Sequence, residues 1–182
     1  MGDSYQIKNQ SGMYFLTFQV VGWVDIFSRQ LYRDLIIDSL KFCIENKGLE
    51  IFGYVIMTNH VHLIARSKNG NLSDIVRDLK RFTSRNIMRD VLENDKESRK
   101  DWLNVVFEYH GKYNRRVETK QFWTHHNHAV ELTSNEMMDV KLQYIHENPV
   151  RAGWVEEPEH YLYSSARNYA GLSIQLKIEM IT

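Results

Sequence analysis

Two histidines separated by one valine, His60 and His62, stand in the run Val55 to Leu63. Its apolar and β-branched residues read as extended chain. Alternate residues of a strand share a face, so both imidazoles project together while Val61, Leu63 and Ala65 turn the other way. That geometry suits two ligands of one ion. Spacing by itself is weak, because 8 His in 182 residues supply about 0.35 such pairs by chance. A second pair, His126 and His128, is indeed present, with His125 beside it. Surface imidazoles are the plainer account of that group.

Tyr144 and Asn148 form a second candidate, with Lys141 on the same stripe. Residues three and four apart share one side of a helix. A phenol titrates near 10 and is a weak nucleophile until its target is activated, which a nearby divalent ion does. The amide oxygen of Asn148 suits a hard cation and would complete a ligand set begun by two histidines. Without other support, a tyrosine on such a stripe is usually packing.

A third feature is a row of like charges. Arg77, Arg81, Arg85 and Arg89 recur every four residues, with only Asp74 and Asp78 at compensating i+3 positions. Such a row invites a polyanion, and Lys80 with Arg115 and Arg116 would extend it along a nucleic-acid backbone. The competing reading is a solvated helix face. Phe122, Trp123, Tyr161, Tyr163 and Tyr169 offer ring faces for unpaired bases, although core packing is the simpler role for each.

The elements that must hold these residues are legible in outline. A chain of 182 residues with 43% hydrophobic and 25% charged residues is one globular domain, here residues 1–182 with flexible tails at 1–12 and 172–182. The apolar stretch Met13 to Val24 is broken by Thr17 and Gln19, too short for a membrane span. The polar start lacks the pattern of a secretory signal, so a cytoplasmic location is expected. Cys43 is the one cysteine, which excludes an intrachain disulfide and a thiolate zinc cluster. Net charge is zero, yet Arg66 to Lys120 holds 14 basic and 9 acidic residues. A basic middle sits in a neutral chain.

Tyr14 to Val21 reads as a strand and Arg29 to Asn46 as a helix capped by Ser28 and ended by Gly48. Ile51 to Met57 and Val61 to Arg66 form a hairpin around Thr58-Asn59. A second helix runs from Leu72 to about Glu93. Val105 to Tyr109 and Lys120 to Trp123 read as short extended pieces with a basic turn at Gly111 to Arg116. Thr133 and Glu136 fit a capping box, which starts a third helix that Pro149 stops. This order predicts an α+β fold, a ferredoxin-like antiparallel sheet with helices on one face.

With these residues in view, the chain resembles the REP-associated tyrosine transposases, single-tyrosine HUH transposases of the IS200-like family. Val55-Ile-Met-Thr-Asn-His-Val-His-Leu63 is similar to that family's metal strand, and Tyr144-Ile-His-Glu-Asn-Pro-Val-Arg-Ala-Gly153 to its catalytic-helix signature. Tyr161-Leu-Tyr-Ser-Ser-Ala-Arg-Asn-Tyr169 resembles the segment that commonly follows. The resemblance spans residues 10–171 and rests on the order and separation of three short motifs.

The resemblance implies that His60, His62 and Asn148 hold a divalent ion, Mg or Mn, where better-known relatives often carry glutamine in place of the shorter Asn148. It implies that Tyr144 attacks a phosphodiester of single-stranded DNA, becoming joined to the 5' phosphate and releasing a 3' hydroxyl. Single-stranded or hairpin DNA is then the partner, with Arg77, Lys80, Arg81, Arg85, Arg89, Arg115 and Arg116 on its backbone. Related transposases include homodimers that exchange the tyrosine helix, so a site within one chain and a site across two both stand. No Gly-rich phosphate loop is present, which agrees with chemistry that conserves bond energy and needs no nucleotide.

Three alternatives differ in kind. One is a domesticated DNA-hairpin-binding protein without transposition activity. Another is an RNA-binding sheet, although its basic-Gly-aromatic strand motif is missing. The third is a small metallohydrolase built on the histidines, which would survive loss of Tyr144.

Overall fold

The computed structural model describes residues 6–112 and 119–181. Alternating inward residues build four strands: Tyr14–Gln19 (β1), Leu49–Ile56 (β2), His60–Ser67 (β3) and the short Val130–Glu131 (β4). They lie in the order β2-β3-β1-β4, all neighbours antiparallel, the strand order of a ferredoxin-like sheet. Helices Gln30–Lys47 (α1), Leu72–Glu93 (α2), Lys100–Lys112 (α3), Asn135–Arg151 (α4) and Ala166–Tyr169 (α5) complete the chain.

Period-two alternation sorts each strand between two cores. Tyr14, Leu16 and Phe18 of β1 and Val61, Leu63 and Ala65 of β3 join Ile36, Leu40, Ile75 and Leu79 of α1 and α2 in the larger core. Phe15 and Ile64 turn to the opposite side with Phe52, Val55 and Met57. That second face is not bare. Ile145, Leu142 and Met138 of α4 close over it, so helices cover both faces rather than the one expected. The cause is the row of large apolar residues on the second face, whose exposure would cost free energy.

Gly53 allows α4 to approach. A Cβ there would stand 2.7 Å from Leu142 Cδ1 and 3.7 Å from Ile145 Cδ1. An irregularity in the β2–β3 register at Ile51/Gly53 sits at the same place, as a bulge bends a strand beneath a crossing helix. The outer edge of β2 is paired by later chain: Ile56 N donates to Tyr163 O at 3.0 Å, Ser165 N to Tyr54 O at 2.9 Å and Glu179 N to Ile51 O at 2.8 Å. Covering an edge in this way removes a template for aggregation.

Four local expectations differ from the structure. Val105 to Tyr109 belongs to helix α3, because Leu103, Phe107 and Gly111 recur every four residues and are buried together. The N-cap of α4 is Ser134, whose Oγ accepts from Met137 N at 3.2 Å, one residue later than the Thr133 box implied. Pro149 lies inside α4, which continues to Arg151. A proline in the last turn removes a single intrahelical bond, and here its ring is buried. Ser28 does not cap helix α1, whose N-cap is Arg29 with no side-chain cap bond because residues 26–28 form a separate 3-10 turn; the helix ends at Gly48, with φ 72°.

Candidate active site

Residue 62 of β3 pairs with Thr17 of β1, and residue 60 pairs with Gln19. Both imidazoles therefore emerge on the face that α4 crosses. Their ring centroids are 4.6 Å apart. Tyr144 of α4 stands over them, its ring 5.4 Å from that of His62 at an interplanar angle of 68°. Phe15 lines the other side, stacked on His62 at 5.1 Å and edge-on to Tyr144 at 5.9 Å. The sheet register and the α4 crossing thus bring His60, His62 and Tyr144 into one cluster from residues more than 80 positions apart.

The Nδ1 atom of each histidine is engaged. His62 Nδ1 lies 2.9 Å from Thr17 Oγ1, and His60 Nδ1 lies 2.6 Å from Asn59 Oδ1. An amide oxygen only accepts, so His60 carries its proton on Nδ1 and leaves Nε2 with a free lone pair. His62 Nε2 is buried and has no hydrogen-bond partner among the described residues. Burial holds both rings neutral: desolvation pulls His60 down to about 4, and His62 to about 3 with added repulsion from His60, Lys141 and Arg151. Neutral imidazoles with oriented Nδ1 and open Nε2 have the arrangement that metal-ligating histidines require.

Asn148 lies one turn after Tyr144, half-buried, and its Nδ2 is buried without a partner. A half-turn of the amide exchanges nitrogen for oxygen at that position. The unpartnered ends of His62 and Asn148 are nitrogen and amide groups of the kind that could serve a divalent ion. No group of three or more His, Cys, Asp or Glu side chains suited to a metal occurs among the described residues; a ligand set here needs the amide.

Two cations flank the tyrosine. The Arg151 guanidinium lies 4.6 Å from the Tyr144 ring centroid and donates from Nη2 to Tyr144 O at 2.8 Å. Lys141 Nζ lies 4.7 Å from the Phe15 centroid and 5.7 Å from that of Tyr144. Tyr144 itself is 39% exposed, open to a large substrate. Sequence reasoning assigned no role to Thr17, Asn59 or Arg151. The i+7 spacing of Arg151 from Tyr144 was the available signal for one of them; Thr17 needs the strand register.

The arginine row falls elsewhere. Arg77, Arg81, Arg85 and Arg89 are exposed on α2, in the layer across the sheet from Tyr144. Arg77 pairs with Asp74 and Asp78, and Arg89 with Asp90 and Glu93. Lys80 leaves the row altogether: Nζ donates to Thr124 O at 2.8 Å and Asn127 Oδ1 at 2.7 Å, and burial pushes its pKa down to about 8. Position 80 lies toward the core side of α2, so its ammonium is drawn inward. Arg115 and Arg116 lie outside the described residues.

The other candidates are structural. Phe122, Trp123 and Tyr163 are buried, Tyr161 donates to Ile56 O at 2.7 Å and Tyr169 to Phe52 O at 3.0 Å. His125, His126 and His128 are exposed, with the rings of the last two 6.5 Å apart. Cys43 is a buried thiol pushed up to about 11 by desolvation. A cavity of about 750 Å³ between α1 and α2, lined by Leu35 and Phe82 among others, lies on the face away from Tyr144. Among the described residues, no helix is long and apolar enough to cross a membrane.

Residues 23–107 match the family model described as "Transposase IS200 like". That span includes His60 and His62 and stops short of Tyr144. No curated protein matches the chain in sequence. A solved structure described as "Structure of the REP associates tyrosine transposase bound to a REP hairpin" is similar over 100% of this chain and 94% of that one, at 18% identity and a TM-score of 0.64. At that identity the likeness is one of fold.

Proposed function

We propose that this chain, which matches the IS200-like transposase model over residues 23–107, is a member of that family and cuts and rejoins single-stranded DNA through Tyr144. The observation that carries the reading is the meeting of the Tyr144 ring with His62 at 5.4 Å, beside a buried His62 Nε2 that no described residue satisfies. A buried polar atom left unpaired costs on the order of 1–3 kcal/mol, which a bound ligand would recover.

In this reading the Nε2 atoms of His60 and His62 and the amide oxygen of Asn148 hold a divalent ion, Mg or Mn. Such an ion supplies charge neutralisation at the scissile phosphate. The chain does the rest. Lys141 and Arg151 hold non-bridging phosphate oxygens close to the phenol, raising the effective concentration of the reacting pair. Tyr144 Oη gives up its proton and forms a bond to phosphorus; the bond from phosphorus to the 3' oxygen breaks, and that oxygen takes a proton to become the released 3' hydroxyl. The number of phosphoester bonds is unchanged, so a 3' hydroxyl can reverse the step without a nucleotide cofactor.

Arg81 and Arg85, across the sheet, are assigned to the paired stem of a hairpin rather than to the strand being cut. Arg77 and Arg89 on the same helix are assigned to that stem as backbone contacts, and Arg115 and Arg116, outside the described residues, keep the backbone role the sequence suggests. The similar solved structure is of a protein bound to a REP hairpin, which supports the same class of partner here. The test is a labelled single strand incubated with Mn and resolved on a denaturing gel. A protein-linked product is expected from the wild type; its absence across single-stranded and hairpin substrates would leave the DNA-binding reading without the chemistry.

A further inference from the structure

Chain leaves β1 at Gln19, the register partner of His60, and turns sharply. Gly22 and Trp23 both adopt left-handed backbone, with φ 62° and 56°. A bulky residue is rare there, because its Cβ crowds the carbonyl. Trp23 is also 71% exposed, more than any other large apolar side chain among the described residues. Its ring therefore repays little of that strain through core burial, and strain of this kind collects at functional positions.

The turn is anchored firmly. Val21 N donates to Phe122 O at 2.9 Å, and a Cβ at Gly22 would stand 3.2 Å from Val106 Cγ1 and 3.3 Å from His110 Nε2. Asn59 supplies the remaining anchor. Its backbone carbonyl accepts from Val20 N at 2.9 Å and from Gln19 Nε2 at 3.1 Å, and its side-chain Nδ2 donates to Trp23 O at 3.5 Å. The other end of the same amide, Oδ1, accepts from His60 Nδ1 at 2.6 Å. One asparagine thus ties the backbone of the exposed tryptophan to the imidazole of the candidate site.

We infer that Trp23 is a stacking platform for an unpaired nucleobase beside the Tyr144–His60–His62 cluster, and that Asn59 is the positioning residue that keeps platform and imidazole in one geometry. The inference rests on the single-strand reading above. An unpaired base has an apolar face to cover and no preference for the side-chain chemistry of the covering ring, which suits an indole held on a fixed backbone. A strand whose phosphate lies between Lys141 and Arg151 would present its neighbouring bases to the adjoining surface, where the turn after β1 ends.

The experiment uses the full chain carrying Tyr144→Phe, so that binding is read without covalent trapping. Affinity is measured for labelled oligothymidylate and for an abasic strand of equal length. Trp23→Ala is expected to weaken the first by about 5-fold to 100-fold and to leave the second unchanged, with Trp23→Phe intermediate. Trp23→Gly relieves the backbone and should melt no lower than the parent while losing the same base-dependent affinity. Asn59→Ala should weaken oligothymidylate binding and, in the chain with Tyr144 intact, lower manganese-dependent adduct yield.

Equal loss on both strands, no loss on either, or loss that tracks a fallen melting temperature in both Trp23 variants overturns the platform. A dimer that Trp23→Ala splits, with oligothymidylate binding intact, overturns it as well and identifies a second copy as the occupant. The two readings fail separately. An adduct without base-dependent loss refutes the platform alone; base-dependent loss in a chain that never forms an adduct refutes the chemistry alone.

Discussion

Tyr144 and His62 face each other across the gap between α4 and β3, with ring centroids 5.4 Å apart and planes at 68°. Neither ring reaches this place by local sequence. Gly53 lets α4 settle on the sheet, and the pairing of Thr17 with His62 fixes which side of β3 the imidazole takes.

Replacing Tyr144 with Phe deletes one hydroxyl from a side chain that is 39% exposed. The fold and the affinity for a single strand should hold within about 2-fold, since a surface substitution of this size shifts stability by less than roughly 0.5 kcal/mol. The covalent product on a denaturing gel should disappear. An adduct of undiminished yield would remove Tyr144 from the chemistry.

Thr17→Val keeps the shape of the strand and removes the oxygen 2.9 Å from His62 Nδ1. Outer partners of a ligating histidine typically account for about 10-fold to 100-fold in metal affinity or activity. The Mn concentration giving half-maximal adduct should rise by that order, with little change in strand affinity measured in chelator. An unchanged Mn profile would mean that Thr17 only packs.

Acid should unfold the metal-free protein earlier than its carboxylates alone require. Desolvation lowers His60 to about 4, His62 to about 3 and His146, bonded to Ser165 Oγ at 2.9 Å, to about 4. An unfolded histidine titrates near 6.5, so between roughly pH 6.5 and 4 the unfolded state binds more protons and stability falls as pH falls. Each histidine contributes on the order of 2 kcal/mol of that loss by about pH 5. Urea unfolding in chelator from pH 7 to 5 measures it, and His146→Gln should flatten the curve by about a third.

Lys80 and its neighbours on α2 separate two roles. Lys80→Met leaves Thr124 O and Asn127 Oδ1 without their donor, which should cost about 1–3 kcal/mol in stability and leave the salt dependence of DNA binding unchanged. Arg81→Ala with Arg85→Ala should do the reverse: stability holds, while hairpin affinity falls and its slope against log salt drops by about 1.8 for a duplex stem. A hairpin slope that does not move would return α2 to the role of a solvated face.

Strands β1 to β3, helices α1, α2 and α4 and the class of the fold were readable because burial and residue preference leave a local signature in the chain. Tyr14 to Val21 is rich in aromatic and β-branched residues, and Leu72 to Ile87 repeats near 3.6. The histidine pair and Tyr144 could be singled out by residue type and by likeness to a known pattern, since those groups do chemistry that few side chains can. Helix α3 reads locally as extended chain because Val105 and Val106 favour that state, whereas the stripe of Leu103, Phe107 and Gly111 buried against the core outweighs the preference.

Partnership lay beyond reach of the linear chain. That Thr17 orients His62, that Asn59 joins Trp23 to His60, and that Lys80 turns inward while Arg81 turns outward all depend on strand register and on which helix lies across which face. The covering of the second face by α4 belongs to the same class. Residue types and periods are local properties written along the backbone; contacts between residues 80 positions apart follow from how the layers settle together, a balance of many small packing terms that no single segment contains.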